Sequence, residues 1–284
     1  MLLRSLEYER PTSTQAAVEA LRSSRRARAL AGGQSLINVL KHRLAECDLL
    51  VDISRLEELR SIDVAVDGSV RIGAAVTYDE LDNSASLRGA HPKLAEVAGG
   101  IADQQVRCRG TIGGNACYSD PASNFPPLLV ALDAKMEILG ADGLRSVSAE
   151  EFFHGPFDTA VRPGELLIAI HVPARGELGV GYSTVTVADE DSWALARACA
   201  ALKVNGTISG ARVVVSALAG APVRLPELEE RLSGLEASPE AIREACANLG
   251  AGLAAVSDVH ASAEYRREMA AVVVRRAIVE ATER

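Results

Sequence analysis

The chain carries two short loops centred on paired glycines, Ala31-Gly32-Gly33-Gln34-Ser35 and Thr111-Ile112-Gly113-Gly114-Asn115, about eighty residues apart. Glycine has no β-carbon, so the backbone at such a pair can turn its N–H groups toward an anion. One such loop suits a phosphate. Two, from separate segments, suit a diphosphate such as the centre of a dinucleotide. The first loop sits where the apolar run Ala27–Ala31, read as a strand, passes into a helix opened by Gln34 or Ser35. Exposed N–H groups and the helix dipole favour an anion at that kind of junction. Neither loop matches G-x-G-x-x-G or G-x-x-x-x-G-K-[ST], which disfavours a Rossmann nicotinamide site and a P-loop.

The pattern around the loops predicts an α+β chain. Ser13 is placed to cap a helix carrying Ala17, Val18 and Leu21, and Asp48–Ile53 reads as an apolar strand. Together with the first loop these give a small parallel βαβ sheet over about residues 1–55. Asp67-Gly68 and Asp142-Gly143 then mark two hairpins, Ile62–Val66 with Val70–Gly73 and Lys135–Leu139 with Leu144–Val147. Helices at Pro92–Val97 and Pro126–Ala134 and a strand at Leu166–Val172 complete an antiparallel subdomain over about 56–175. Pro173–Gly181 reads as a linker. Residues 176–284 form a C-terminal domain: a three-stranded antiparallel sheet (Gly181–Val187, Ala196–Val204, Thr207–Leu218) with helices at Pro226–Leu232, Pro239–Leu249 and Ala263–Ala281. The last helix is expected to bury Tyr265, Met269, Val272, Val273 and Ile278.

Composition narrows the function. A net charge of −8 argues against nucleic acid, which needs a basic footprint. The basic run Arg22, Arg25, Arg26, Arg28 reads as a solvated helix end. There is no apolar leader after Met1 and no run long enough to span a membrane, so the expected location is the cytoplasm. The cysteines Cys47, Cys108, Cys117, Cys199 and Cys246 form no C-x-x-C pair, which excludes a disulfide framework, a zinc site or an iron–sulfur site on this chain. The histidines His42, His91, His154, His171 and His260 are scattered without ligand spacing and read as surface or capping residues.

The wording of the loops is more specific than their glycines. Ala-Gly-Gly-Gln-Ser-Leu, then Arg-Gly-Thr-Ile-Gly-Gly-Asn, then Asp120-Pro121, resembles the FAD-binding medium subunit of bacterial molybdenum hydroxylases, the carbon monoxide, nicotine and xanthine dehydrogenase relatives, over essentially the whole chain. The resemblance implies FAD held between a two-part N-terminal domain and a C-terminal domain. It implies a first pyrophosphate loop at Ala29, Leu30, Ala31, Gly32, Gly33, Gln34, Ser35 and Leu36, and a second at Thr111, Ile112, Gly113, Gly114 and Asn115. Ile101 corresponds to an apolar position beside the flavin, Leu167 to another cofactor contact, and Tyr182 to the start of the segment passing the isoalloxazine. No catalytic side chain and no metal ligand is implied on this chain, because the flavin does the chemistry. The resemblance further implies a large molybdopterin subunit and a small subunit with two [2Fe-2S] clusters as partners in a dimer of heterotrimers. FAD would collect electrons from the clusters for an external acceptor: NAD, quinone, oxygen or a cytochrome.

This chain departs from the family pattern in two places. Asn124 stands where relatives carry an Asp, with Asp120 placed to take part of its role. Ser183 and Thr184 stand where a Lys usually follows the tyrosine. The only tryptophan, Trp193, reads as a core or interface residue rather than a flavin stack. Two competing readings stay open: a self-contained flavin oxidase of the same binding fold, and a scaffold homologue that has lost FAD. Flavin reduction by substrate in the isolated chain would mark the first; a colourless chain indifferent to FAD would mark the second.

Overall fold

The computed structural model describes residues 2–188 and 192–283. It forms two compact units, one built from Met1–Tyr118, Lys135–His154 and Asp158–Val172, the other from Ser119–Ala134, Gly155–Phe157 and Pro173–Arg284. The segments 119–134 and 155–157 thus group with the C-terminal part.

The first unit begins with a parallel three-stranded sheet, β1 (Glu7–Glu9), β2 (Ala27–Leu30) and β3 (Leu49–Asp52), in the order β1-β3-β2. Helix α1 (Thr14–Ser23) starts where the Ser13 hydroxyl accepts from the Ala16 N–H, and it buries Ala17, Val18, Ala20 and Leu21 against this sheet's core. The short α2 (Leu36–Lys41) follows the first glycine loop.

A five-stranded antiparallel sheet comes next, made of β4 (Ile62–Val64), β5 (Val70–Gly73), β6 (Lys135–Gly140), β7 (Gly143–Ser148) and β10 (Leu166–Val172), in the order β4-β5-β10-β6-β7. Both expected hairpins form, with Gly68 at φ 86° and Gly143 at φ 100°, backbone angles that favour glycine. Short helices α3 (Tyr78–Asn83), α4 (Ala85–Ala90), α5 (Pro92–Gly99), α6 (Gln104–Arg107) and α7 (Ile112–Tyr118) lie between β5 and β6 in sequence. Helix α8 (Phe125–Ala131) belongs to the second unit, and α9 (Ala149–Phe152), β8 (Phe153–Gly155) and β9 (Asp158–Thr159) lead back toward β10.

The second unit's sheet has three long antiparallel strands, β11 (Leu178–Thr186), β12 (Ala194–Asn205) and β13 (Thr207–Ser216). A two-residue edge strand, β14 (Val223–Arg224), makes it four-stranded rather than three, and β11 starts inside the segment read as a linker. Helices α10 (Pro226–Leu232), α11 (Pro239–Ala245) and α12 (Ala263–Glu283) follow.

Helix α12 buries Val273 and Ile278 as expected and packs Met269 against the same core, but the buried stripe is centred on alanines and leaves Tyr265 out. Ala270, Val273, Val274, Ala277, Ile278 and Ala281 are buried, with Arg266, whereas Tyr265 is exposed. The reason is close approach. A β-carbon on Gly181 of β11 would stand 2.9 Å from the carbonyl carbon of Ala277, and one on Gly179 would stand 3.0 Å from that of Ala281. Alanines on the helix and glycines on the strand let the two backbones meet. The Arg266 Nη groups donate to the carbonyls of Leu195 and Ala217 and to the carboxylate of Asp258, while its Nε is buried without a partner.

Candidate functional site

The first loop leaves β2 at Leu30 and enters α2 at Leu36, so Ala29 through Leu36 form one strand–loop–helix turn. Gly33 has φ 74°, where a β-carbon is disfavoured. Gly32 lies against the other loop: a β-carbon there would stand 2.6 Å from the carbonyl carbon of Arg109 and 2.9 Å from Cα of Gly110. The two glycine loops, distant in sequence, therefore touch backbone to backbone within one unit.

Their N–H groups are used differently. Among the described residues, those of Gly33, Gln34 and Ser35 donate to no acceptor in the protein, so the first loop offers three donors. In the second loop Ile112 donates to Val76 (3.0 Å), Gly113 to Ala74 (3.0 Å) and Asn115 to Thr111 (2.9 Å), all backbone carbonyls. The Gly114 N–H goes to the Thr111 hydroxyl (3.0 Å). The expectation that both loops turn free N–H groups outward is met by the first alone. Gly113 serves close packing instead. A β-carbon there would stand 2.8 Å from Cα of Ala74, so glycine lets α7 begin flush against that residue.

What the second loop presents instead is exposed Gly114 and the amide of Asn115. Asn115 Nδ2 donates to the Tyr78 hydroxyl (3.2 Å), and its Oδ1 is buried without a partner. Turning the amide over would let Tyr78 donate to Oδ1 and free Nδ2 for an anion. Tyr78 suits that part. Burial pushes its phenol up to about 12, so it keeps its proton near neutrality. Its ring also packs under the loop, where a β-carbon on Gly110 would meet Cε2 at 2.5 Å. A close-packed glycine cradle, three free N–H groups and an orphaned amide oxygen fit a diphosphate-bearing cofactor.

Ile101 and Leu167 lie in the same unit. Ile101 is buried, just after α5, and Leu167 is buried in β10, at a register shift against β6. The neighbouring Ile168 carbonyl accepts from the Ala74 N–H, and the Ala74 carbonyl accepts from Gly113, so two successive bonds tie β10 to the second loop.

The three remaining candidates, Asp120, Asn124 and Tyr182, gather in the second unit. The Tyr182 hydroxyl donates to the Asn124 carbonyl (2.9 Å), and Asp120 accepts from the Ala122 N–H (2.8 Å). At their centre is Arg197, which sequence reasoning missed. Its Nη1 donates to the carbonyls of Ala122 and Ser123, its Nε to the Thr184 hydroxyl (3.1 Å), and its guanidinium lies 5.8 Å from the Tyr182 ring centroid. Arg197 is buried, which lowers its pKa. Burial raises the Asp120 carboxyl, opposed by the Ala122 N–H and the Arg197 charge. The cation missing at 183–184 is thus supplied to this cluster from β12, where Arg197 pairs in register with Thr184. That register was the signal, and it emerges only once β11 and β12 are aligned.

Trp193 is 59% exposed, which excludes the core half of its reading. His91 is buried and stands at the C-cap of α4 and the N-cap of α5, the capping setting expected as one of its two options. Among the described residues no cluster of metal-ligating side chains is present, and no helix is long and apolar enough to cross a membrane.

Comparison with known proteins places this geometry. Residues 4–175 match the FAD binding domain of molybdopterin dehydrogenases, and residues 182–281 match the C-terminal domain of the CO dehydrogenase flavoprotein. The chain therefore belongs to the FAD-binding medium-subunit family of the molybdopterin dehydrogenases, a family of oxidoreductase flavoproteins. It is 37% identical to the carbon monoxide dehydrogenase medium chain of Afipia carboxidovorans, covering 100% of this chain and 99% of that one. It is 34% identical to the nicotine 6-hydroxylase medium subunit of Paenarthrobacter nicotinovorans, over 99% of both. Among solved structures, a carbon monoxide dehydrogenase from Hydrogenophaga pseudoflava superposes with a TM-score of 0.95 at 34% identity, over 100% of this chain and 99% of that one.

Proposed function

We propose that the chain is the electron-transfer subunit of a molybdenum-containing hydroxylase complex, taking electrons from [2Fe-2S] clusters on a small partner subunit and passing them to an external acceptor. The observation that carries the reading is the backbone contact between Gly32 and Arg109-Gly110, which joins two diphosphate-type loops into one cradle. FAD, when bound, supplies redox chemistry in steps of one electron or two, which is what such a position needs. The chain itself binds and orients. Gly33, Gln34 and Ser35 would donate N–H groups to the diphosphate, Asn115 would add its amide, and Thr111, Ile112, Gly113 and Gly114 would form the facing wall. Ile101 and Leu167 would serve the flavin side. Asp120, Asn124 and Tyr182 are cofactor contacts that the family pattern implies.

The large molybdopterin subunit would oxidise the substrate, so this chain would not select it. Assembly as a dimer of heterotrimers in the cytoplasm completes the proposal. The test is purification of the native complex with its cofactors identified, followed by substrate reduction of the complex and of the isolated chain. Flavin bleaching in the complex and not in the isolated chain supports the reading. Bleaching in the isolated chain marks a self-contained oxidase instead.

A further inference from the structure

Between α5 and α6 the chain makes a bend at Ile101-Ala102. Ala102 has φ 45°, a left-handed angle at which a β-carbon crowds the following carbonyl, so the bend needs support from outside itself. Arg107 provides it. Nη1 donates to the carbonyls of Ile101 (3.2 Å) and Ala102 (2.5 Å), and Nη2 donates to Gln104 Oε1 (3.0 Å). Among the described residues no carboxylate pairs with this guanidinium. Its Nη groups donate to the bend and to Gln104 of α6.

The other end of the same short helix runs into the second loop. Asp103 caps α6 by accepting from the Val106 N–H (2.8 Å), Gly110 donates to the Val106 carbonyl (2.6 Å), and the Gly110 carbonyl accepts from Tyr78 (3.0 Å). Gly110 in turn lies against Gly32. One side chain therefore links Ile101 to the segment that forms the diphosphate cradle.

We infer that Arg107 is a positioning residue for the flavin ring, holding Ile101 at a fixed setting relative to the diphosphate loops through its carbonyl contacts. This rests on the proposed reading that Ile101 meets the flavin. Arg107 acts on the ring end of the cofactor and leaves the ADP end to the glycine loops, so its loss separates two affinities that a general loss of structure would lower together.

The test uses the full-length chain with its accompanying subunits, stripped of flavin and titrated separately with FAD and with ADP. In Arg107→Met, FAD binding is expected to weaken on the order of tenfold or more while ADP binding stays within about twofold. The visible band of bound FAD is expected to shift as well. Arg107→Lys keeps the charge and part of the carbonyl contact. It is expected to fall between, and it is read the same way if the Met variant does not fold. Equal losses for FAD and ADP in a folded variant, or no loss of either, overturn the inference. Ile101→Ala is the control. If it leaves FAD binding unchanged, the assignment of Ile101 fails and the route through Arg107 fails with it. If Ile101→Ala weakens FAD binding while Arg107→Met does not, the inference about Arg107 alone is overturned.

Discussion

Gly32 packs so closely on the carbonyl of Arg109 that no side chain fits between the two loops. Gly32→Ala must therefore pry the cradle open, because backbone on the facing side cannot swing away as a flexible side chain would. The expected result is loss of retained FAD and a destabilisation of about 1–3 kcal/mol, the usual cost of overpacking. Flavin-to-protein absorbance ratio and thermal denaturation check it. Gly114→Ala is the contrast, since its β-carbon would meet only the Thr111 hydroxyl at 2.8 Å, and it should cost less than Gly32→Ala on both measures.

Tyr78→Phe removes the hydroxyl that holds the Asn115 amide while keeping the ring under Gly110. Stability should drop by about 1 kcal/mol, the net worth of an ordinary hydrogen bond. FAD affinity should fall while the fold, followed by circular dichroism, is retained. Unchanged affinity would show that the Asn115 orientation does not matter to the ligand.

Arg197→Met leaves the carbonyls of Ala122 and Ser123 without their donor and removes the cation beside Tyr182. A loss of about 2–4 kcal/mol is expected in denaturant unfolding, because buried acceptors lose charged partners. Arg197→Lys should recover only part of it, since an ammonium cannot reproduce a planar fork that reaches two carbonyls and a hydroxyl.

The Asp258–Arg266 contact gives a pH dependence. Hydrogen bonding to Arg266, and then to the His260 N–H, holds the Asp258 carboxyl at about 2, below the ordinary range. A depressed carboxylate stabilises the fold above its unfolded pKa and loses that effect as pH falls through the folded value. Wild type should therefore exceed Asp258→Asn in stability near neutrality and lose the advantage between roughly pH 4 and pH 2. Asp258 is 42% exposed, so solvent screening limits the gap to about 1 kcal/mol or less. Paired urea titrations across that range measure it.

Local signals carried much of the fold. Asp67-Gly68, Asp142-Gly143 and Asn205-Gly206 each encode a hairpin in two residues, and Gly68, Gly143 and Gly206 all adopt the positive φ that such turns need. Ser13 caps α1 as its position predicts. The apolar run Leu166–Val172 was legible as a strand, while its central place between β5 and β6 depends on pairings far away in sequence. The same limit applies at the site. The glycine pairs were legible, but what occupies the N–H groups of the second loop was not. Ala74 and Val76, which accept two of them, lie more than thirty residues earlier. Arg197 was hidden for a related reason: an arginine in a strand reads as solvent-facing until the carbonyls of another segment close over it. On α12 the apolar pattern found Val273 and Ile278 but also ranked Tyr265 above Ala277 and Ala281. Backbone proximity to Gly179 and Gly181 selects the reverse.

The most direct test of the central claim is identification and quantification of the flavin released from the full-length wild-type chain, purified with its natural partners, beside the Gly32→Ala chain prepared in the same way. The account predicts stoichiometric FAD from the wild type and little or none from the folded variant. A colourless wild-type chain that takes up no added FAD would contradict it, as would a folded Gly32→Ala chain with full flavin content.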